Sequence, residues 1–134
     1  MFLLDTNILS ELVRRQPHPK VRTRFESAPD HHLFTSAVCV EEIRFGCRLV
    51  PHGEGKWRAM LAKVLSRVTV LDFTYAAAIR AGELRAERKQ AGTLVGYEDG
   101  LIAAATLVAG LNLVTRNVRH FDQTSGLTVE NWFE

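Results

Sequence analysis

Residues 1–12 read MFLLDTNILSEL. Three apolar side chains run into a carboxylate, Asp5, and apolar residues then recur at Ile8, Leu9 and Leu12. The first pattern predicts a short buried strand over residues 1–5. The second follows helical spacing and predicts a helix over residues 6–15, stopping before Pro17 because the residue ahead of a proline avoids helical geometry. The alternation continues outward from this unit. A helix is expected over 20–28, ended by Pro29, and a strand over 32–36. Ser36 is placed to cap a long helix over 37–50. Pro51 and the HGEG segment at 52–55 break that helix. Residues 56–67 show helical spacing, with Trp57, Met60, Leu61, Val64 and Leu65 forming a stripe that reads as core packing. A strand at 68–73, a helix with a charged face at 74–90 ended by Gly92, and an apolar helix at 97–109 follow. Gly110 sits where glycine favours the end of a helix. Strands at 111–115 and 127–132 complete the chain.

Strands alternating with helices predict an α/β domain with a short, mostly parallel sheet. The strands are apolar on both faces, as helices on both sides of a sheet require. With 134 residues and no repeat, linker or low-complexity tract, the chain reads as a single domain, 1–134. In such folds ligands bind beyond the carboxyl ends of the strands. That is where Asp5 falls.

Composition narrows the function classes. The chain is 46% hydrophobic and 24% charged, with a formal net charge of +2, too small to argue for nucleic-acid binding by itself. Thirteen of the 17 basic residues are arginine, whose planar fork suits phosphate, although a solvated surface is the favoured explanation. Cys39 and Cys47, on one helix, would lie about 12 Å apart along its axis, too far to bridge. The five histidines form no HExxH, and no paired Cys/His set occurs. A reduced, cytoplasmic protein without structural zinc is expected. No basic-then-apolar leader is present. The longest uncharged run, residues 100–115, falls short of the roughly 20 apolar residues of a membrane span.

Several acids stand out of place. Asp5 fits a helix cap but also the expected site. Glu41 has Arg44 one turn away as an ordinary surface partner. Glu42 is flanked at helical spacing by Val38, Cys39, Phe45 and Gly46, so it either snorkels to the helix edge or meets a cation, from an arginine or a metal. Asp99 opens a helix whose neighbours Ile102 and Ala103 are apolar. The helix dipole explains it, and explains Glu98 too, which could be the more exposed of the two. Thr115 and Asn117 follow a strand, where turn chemistry or the site would each account for them. Taken together, Asp5, Glu42 and Asp99 can converge on one pole of the sheet. Oxygen ligands without histidine or thiolate favour Mg²⁺ or Mn²⁺.

Three segments, LLDTNILSEL, TSAVCVEEIRFG and DGLIAAATLVAGLNLVTRNVRHF, lie in the order found in the PIN-domain family, which the chain resembles over nearly its whole length. More narrowly it resembles the VapC toxins of toxin–antitoxin pairs, including the FitB-like branch. The resemblance implies an α/β/α sandwich and a Mg²⁺- or Mn²⁺-dependent endoribonuclease. It matches Asp5, Glu42 and Asp99 to the family's metal-binding acids. It places Asn117 at a fourth position that is often aspartate, removing one charge and weakening the case for a second metal. Thr6, Asn7 and Thr115 match supporting polar residues, and Arg116 is the nearest candidate for holding the RNA backbone. A VapB-type antitoxin, a homodimer, and operator DNA reached only through the antitoxin are implied as partners.

Two other enzyme classes fit poorly. A haloacid-dehalogenase-like phosphatase needs an aspartate where Asn7 stands. A receiver domain needs a late lysine, and none follows Lys89. The remaining alternative is a binding module within a DNA-bound antitoxin complex, with little or no catalysis of its own.

Overall fold

The computed structural model describes residues 1–93 and 96–134. Among these, five strands and six α-helices alternate. The strands are β1 (Phe2–Leu4), β2 (Leu33–Ser36), β3 (Thr69–Leu71), β4 (Asn112–Val114) and β5 (Val129–Glu130). The helices are α1 (Thr6–Leu12), α2 (Pro19–Ser27), α3 (Ala37–Leu49), α4 (Gly53–Met60), α5 (Tyr75–Gln90) and α6 (Tyr97–Ala109). The sheet order is β3-β2-β1-β4-β5, with every pairing parallel. Neighbouring residues on a strand face opposite sides. Leu3 and Leu4 are both fully buried, so helices cover both faces of β1 and the fold is a three-layer α/β/α sandwich.

The order explains where a site can form. From β1 the chain steps outward to β2 and β3, then returns through α5 and α6 to β4 on the other side of β1. The switch point lies between β1 and β4, and its crevice opens at their carboxyl ends. Asp5 follows β1 and Thr115 follows β4. The two strands are tied there by the Asp5 N–H to Val114 C=O bond at 2.9 Å.

Several element boundaries differ from the sequence expectation. α1 ends at Leu12 rather than at residue 15. The Glu11 carboxylate accepts from Arg14 Nη1 at 3.1 Å and from the His18 N–H at 2.9 Å, folding the following residues back instead of extending the helix. The helix over 37–50 does break before Pro51, but only residues 50–52 intervene. His52 turns at φ 62°, and α4 starts at Gly53, ahead of the expected residue 56, and runs into a π-helical turn at Leu61–Leu65. On the apolar stripe Met60 and Val64 are buried, but Leu61 is exposed, because the wider turn rotates it off the core face. α5 also departs from a simple charged face: Arg88 is buried and its Nη2 donates to Thr124 Oγ1. The glycine stops hold, with Gly92 and Gly110 both at positive φ.

Candidate active site

Asp5 ends β1 and begins α1, and it is 4% exposed. Its two carboxylate oxygens have separate partners. Oδ1 accepts the Thr6 N–H at 2.7 Å, with Cys39 Sγ 3.9 Å away. Oδ2 accepts from Thr115 Oγ1 at 2.8 Å and from Asn7 Nδ2 at 3.2 Å. Asn7 Nδ2 also lies 3.2 Å from Thr115 Oγ1, and Asn7 Oδ1 accepts the Arg116 N–H at 3.0 Å. Thr6, Asn7 and Thr115 thus form a polar frame around one carboxylate. Every member is partnered, as a buried polar network requires.

Glu42 stands on α3, which Ser36 caps through a 3.1 Å bond to the Val38 N–H. It is half-buried, and its Oε1 accepts from Thr6 Oγ1 at 3.3 Å. Thr6 therefore connects the Glu42 and Asp5 carboxylates. A side chain at Gly46 would meet open space, so that face of α3 is clear, as its sequence position suggested. The expected Glu41–Arg44 pair is replaced: Arg44 Nη1 reaches Glu54 on α4 at 3.0 Å and leans over Trp57. Asp99 lies in the first turn of α6, and its Oδ2 is 3.0 Å from His120 Nδ1. Glu98 beside it is more exposed, in line with the sequence reading.

The electrostatics of these acids are unlike those of a surface cluster. Burial pushes the Asp5 carboxyl above its ordinary range, and the charge of Asp99 adds to the rise against the opposing hydrogen bonds. Burial likewise raises Glu42, with further repulsion from Asp5, Glu98 and Asp99. Cys39, buried beside Asp5, is pushed up to about 12. Among the described residues no Lys, Arg or His forms an ion pair with Asp5 or Glu42. Also among the described residues, no three Asp, Glu, His or Cys side chains stand close enough to grip one ion unaided. The chain thus brings three carboxylates within electrostatic reach and, among the described residues, pairs only Asp99 with a basic group.

Asn117 sits at the rim. Its N–H donates to Thr115 Oγ1 at 3.1 Å, while the residue itself is exposed. Arg116 is also exposed, and its guanidinium lies 4.6 Å over the Phe133 ring. His120 was not singled out by sequence reasoning, since a lone histidine in a turn carries no local signal. Glu98, which the helix dipole explains in sequence, also reaches Glu42 with its charge from α6.

Comparisons with known proteins bear on the chain as a whole. The PIN domain family model matches residues 2–127. The tRNA(fMet)-specific endonuclease VapC of Shigella flexneri is 35% identical over 131 residues, covering 98% of this chain and 97% of that protein. The DNA-bound VapBC complex from Salmonella typhimurium contains a chain of TM-score 0.88 and 33% identity, covering 98% of this chain and 97% of its own. FitAcB from Neisseria gonorrhoeae contains one of TM-score 0.88 and 29% identity, covering 100% and 99%. The parallel sheet and the match along nearly the whole chain lead to one assignment: the chain belongs to the PIN domain family.

Proposed function

We propose that this protein is a metal-dependent endoribonuclease toxin held in check by a cognate antitoxin of the VapB type. The observation that carries the reading is the buried Asp5 carboxylate, raised by burial and facing two further acids with no ion pair at Asp5 or Glu42 among the described residues. Repulsion of this kind disfavours the free fold and is relieved by a cation. The names and complexes of the relatives support both the nuclease and its protein partner.

The donor set fits Mg²⁺ or Mn²⁺. It is all oxygen, and an ion that keeps several waters needs no closed protein cage. Asp5, Glu42 and Asp99 would hold it. Bound there, such an ion lowers the pKa of a water and offsets charge on a phosphodiester. The chain's own residues do the rest. Thr6 orients Asp5 and Glu42 together. Asn7 and Thr115 fix the second Asp5 oxygen, so the carboxylate is aimed before substrate arrives. Asn117, at the rim beside Thr115, is placed to meet the substrate with a neutral amide. Arg116 contacts the RNA backbone, a contact that positions but does not specify sequence. Attack by water leaves a 5′-phosphate and a 3′-hydroxyl.

Both thiols are free and buried, which suits the reduced cytoplasmic setting we assign. Among the described residues no helix is long and apolar enough to cross a membrane. Exposed Phe45 and Leu49 on α3, with Leu61 just beyond α4, offer an apolar face for a homodimer. Operator DNA is reached through the antitoxin. The test is cleavage of a mixed RNA pool by the purified chain in Mg²⁺ or Mn²⁺, beside Asp5→Ala and an EDTA control. Cleavage confined to the intact chain with free metal supports the nuclease. Equal cleavage by Asp5→Ala, or none by either, removes the assignment and favours a binding module.

A further inference from the structure

On the Arg116 side of the acids lies a pocket of about 350 Å³. It is lined by Glu11, Arg14, His18, Arg116 and Phe133, among others. Its size falls within the roughly 300–1,000 Å³ of small-ligand sites, enough for one nucleotide. Arg116 ties its wall to the acid cluster: it follows Thr115, which bonds Asp5 Oδ2, and its own N–H bonds Asn7 Oδ1.

The chemistry of its walls is specific. Phe133 lies beneath the Arg116 guanidinium at 4.6 Å, and the His18 ring tilts against Phe133 at 5.3 Å. The guanidinium therefore rests on an aromatic support, while Arg116 as a whole stays exposed. Arg14 is bound to Glu11 at 3.1 Å, yet its side chain is 65% exposed, leaving donors free. Glu11 itself is 5% exposed and saturated by Arg14 and the His18 N–H. Its charge is thus answered inside the pocket wall. His18 Nδ1 accepts the Lys20 N–H at 3.3 Å, which places the proton of the neutral ring on Nε2 as a donor. His18 also precedes the nine-residue helix α2, whose positive end adds to the field. Two arginines, an imidazole N–H and a helix start therefore outweigh one neutralised carboxylate.

We propose that this pocket is a subsite for one unpaired nucleotide of the RNA substrate, adjoining the reacting phosphodiester. The base stacks on the outer face of the Arg116 guanidinium, whose edge still donates to the RNA backbone, and the neighbouring phosphate takes Arg14 and the His18 Nε2–H. Phe133 is a positioning residue that keeps Arg116 flat. The inference rests on the nuclease reading and adds to it the residues that hold one nucleotide beside the cut. A base can stack in this way only when splayed out of a helix, so the pocket takes an unpaired nucleotide.

The test measures binding and turnover separately. A fluorescent single-stranded oligoribonucleotide and a duplex of equal length are titrated with the full chain in EDTA, where no cleavage intervenes. The variants are Arg14→Gln and Phe133→Leu, with Arg15→Gln as control, because Arg15 is exposed and outside the pocket lining. The single strand should bind more tightly than the duplex. Arg14→Gln and Phe133→Leu should each weaken it about tenfold and shrink that preference, while Arg15→Gln keeps wild-type affinity. In Mn²⁺ the loss should fall on KM rather than kcat. Unchanged affinity in both variants, or an equal loss in Arg15→Gln, overturns the subsite. So does unchanged RNA affinity with weakened retention of a co-expressed antitoxin, which assigns the pocket to the protein partner. Pocket-dependent binding without any cleavage supports the subsite and refutes the nuclease. Cleavage with an unaltered KM in both variants refutes the subsite alone.

Discussion

Asp5 has a cap on one oxygen and a site on the other. Oδ1 accepts the first helical N–H, and Oδ2 is framed by Thr115 and Asn7. From sequence these were competing explanations, because a single position gives no sign that its two oxygens face different ways. The same limit hid the Asp99–His120 contact and the replacement of Arg44's partner, both made between elements distant in the chain. What sequence could show was which acids lack local partners, and Glu42 is the clearest. Its carboxyl is raised in the folded protein, so its charge subtracts from stability above that raised value and stops doing so as it protonates. Glu42→Gln should therefore raise the Tm in EDTA by a few degrees at neutral pH, with the gain closing as pH falls. RNA cleavage should drop at least about a hundredfold. Adding Mn²⁺ should raise the wild-type Tm and leave Glu42→Gln unmoved, read by thermal denaturation. Glu11 predicts the opposite pH trend. Burial pushes it up, but the His18 N–H and Arg14 more than offset this and hold it below the ordinary 4.5. Its contribution is complete above that value and lost as pH falls through the lower, folded one. Glu11→Ala orphans the His18 N–H, and should cost about 1–3 kcal/mol at neutral pH. Its denaturant midpoint should then fall less steeply with acid than that of the wild type.

At the scale of elements, α3 and α4 show how a composition signal can mislead. Pro51, Gly53 and Gly55 look like loop punctuation, and the spacing of the next apolar residues starts only at Trp57. The structure spends just one residue, His52, on the left-handed turn, and α4 begins immediately. Gly53 is there for contact. A Cβ at this position would lie 1.6 Å from the Cys47 carbonyl oxygen, a backbone atom that cannot swing aside. The two helices approach so closely that only glycine fits, and sequence reading cannot tell that need from a turn. Gly53→Ala should thus separate α3 from α4 and cost about 3 kcal/mol by denaturant unfolding. Gly46→Ala, on the same helix pair but facing open space, should be stable. Equal tolerance of the two changes would mean that the close approach does not exist in solution. Among the helices that read to within one residue, α3, α5 and α6 have ends with chemical marks: Ser36 and Thr74 at two starts, and Gly92 and Gly110 beyond two ends.

For the whole molecule, the parallel sheet and its alternating helices were legible because short, doubly apolar strands leave few other architectures. The contribution of the last residues was less so, since a two-residue strand carries almost no pattern. The family match ends at residue 127, yet β5 and the fully buried Trp132 lie beyond it. Trp132 packs edge-on against Phe2 of the central strand at 5.3 Å and lies under Arg24 at 5.0 Å. β5 in turn holds β4: the Thr115 N–H donates to Glu130 C=O at 3.0 Å, and Leu113 to Thr128 at 2.9 Å. The chain's end is therefore linked through β4 to the hydroxyl that orients Asp5. Trp132→Ala should cost about 3–5 kcal/mol, a large share of the roughly 5–15 kcal/mol of an ordinary domain. It should also lower kcat at temperatures where the variant is still folded, because Thr115 loses its anchor. Trp132→Phe keeps most of the apolar contact and removes an indole N–H that has no partner among the described residues, so it should stay near wild type in both respects. Thermal denaturation and single-turnover RNA cleavage on the same samples check this. A Trp132→Ala protein with lowered Tm but full kcat would show that the sheet edge supports the fold without supporting the site.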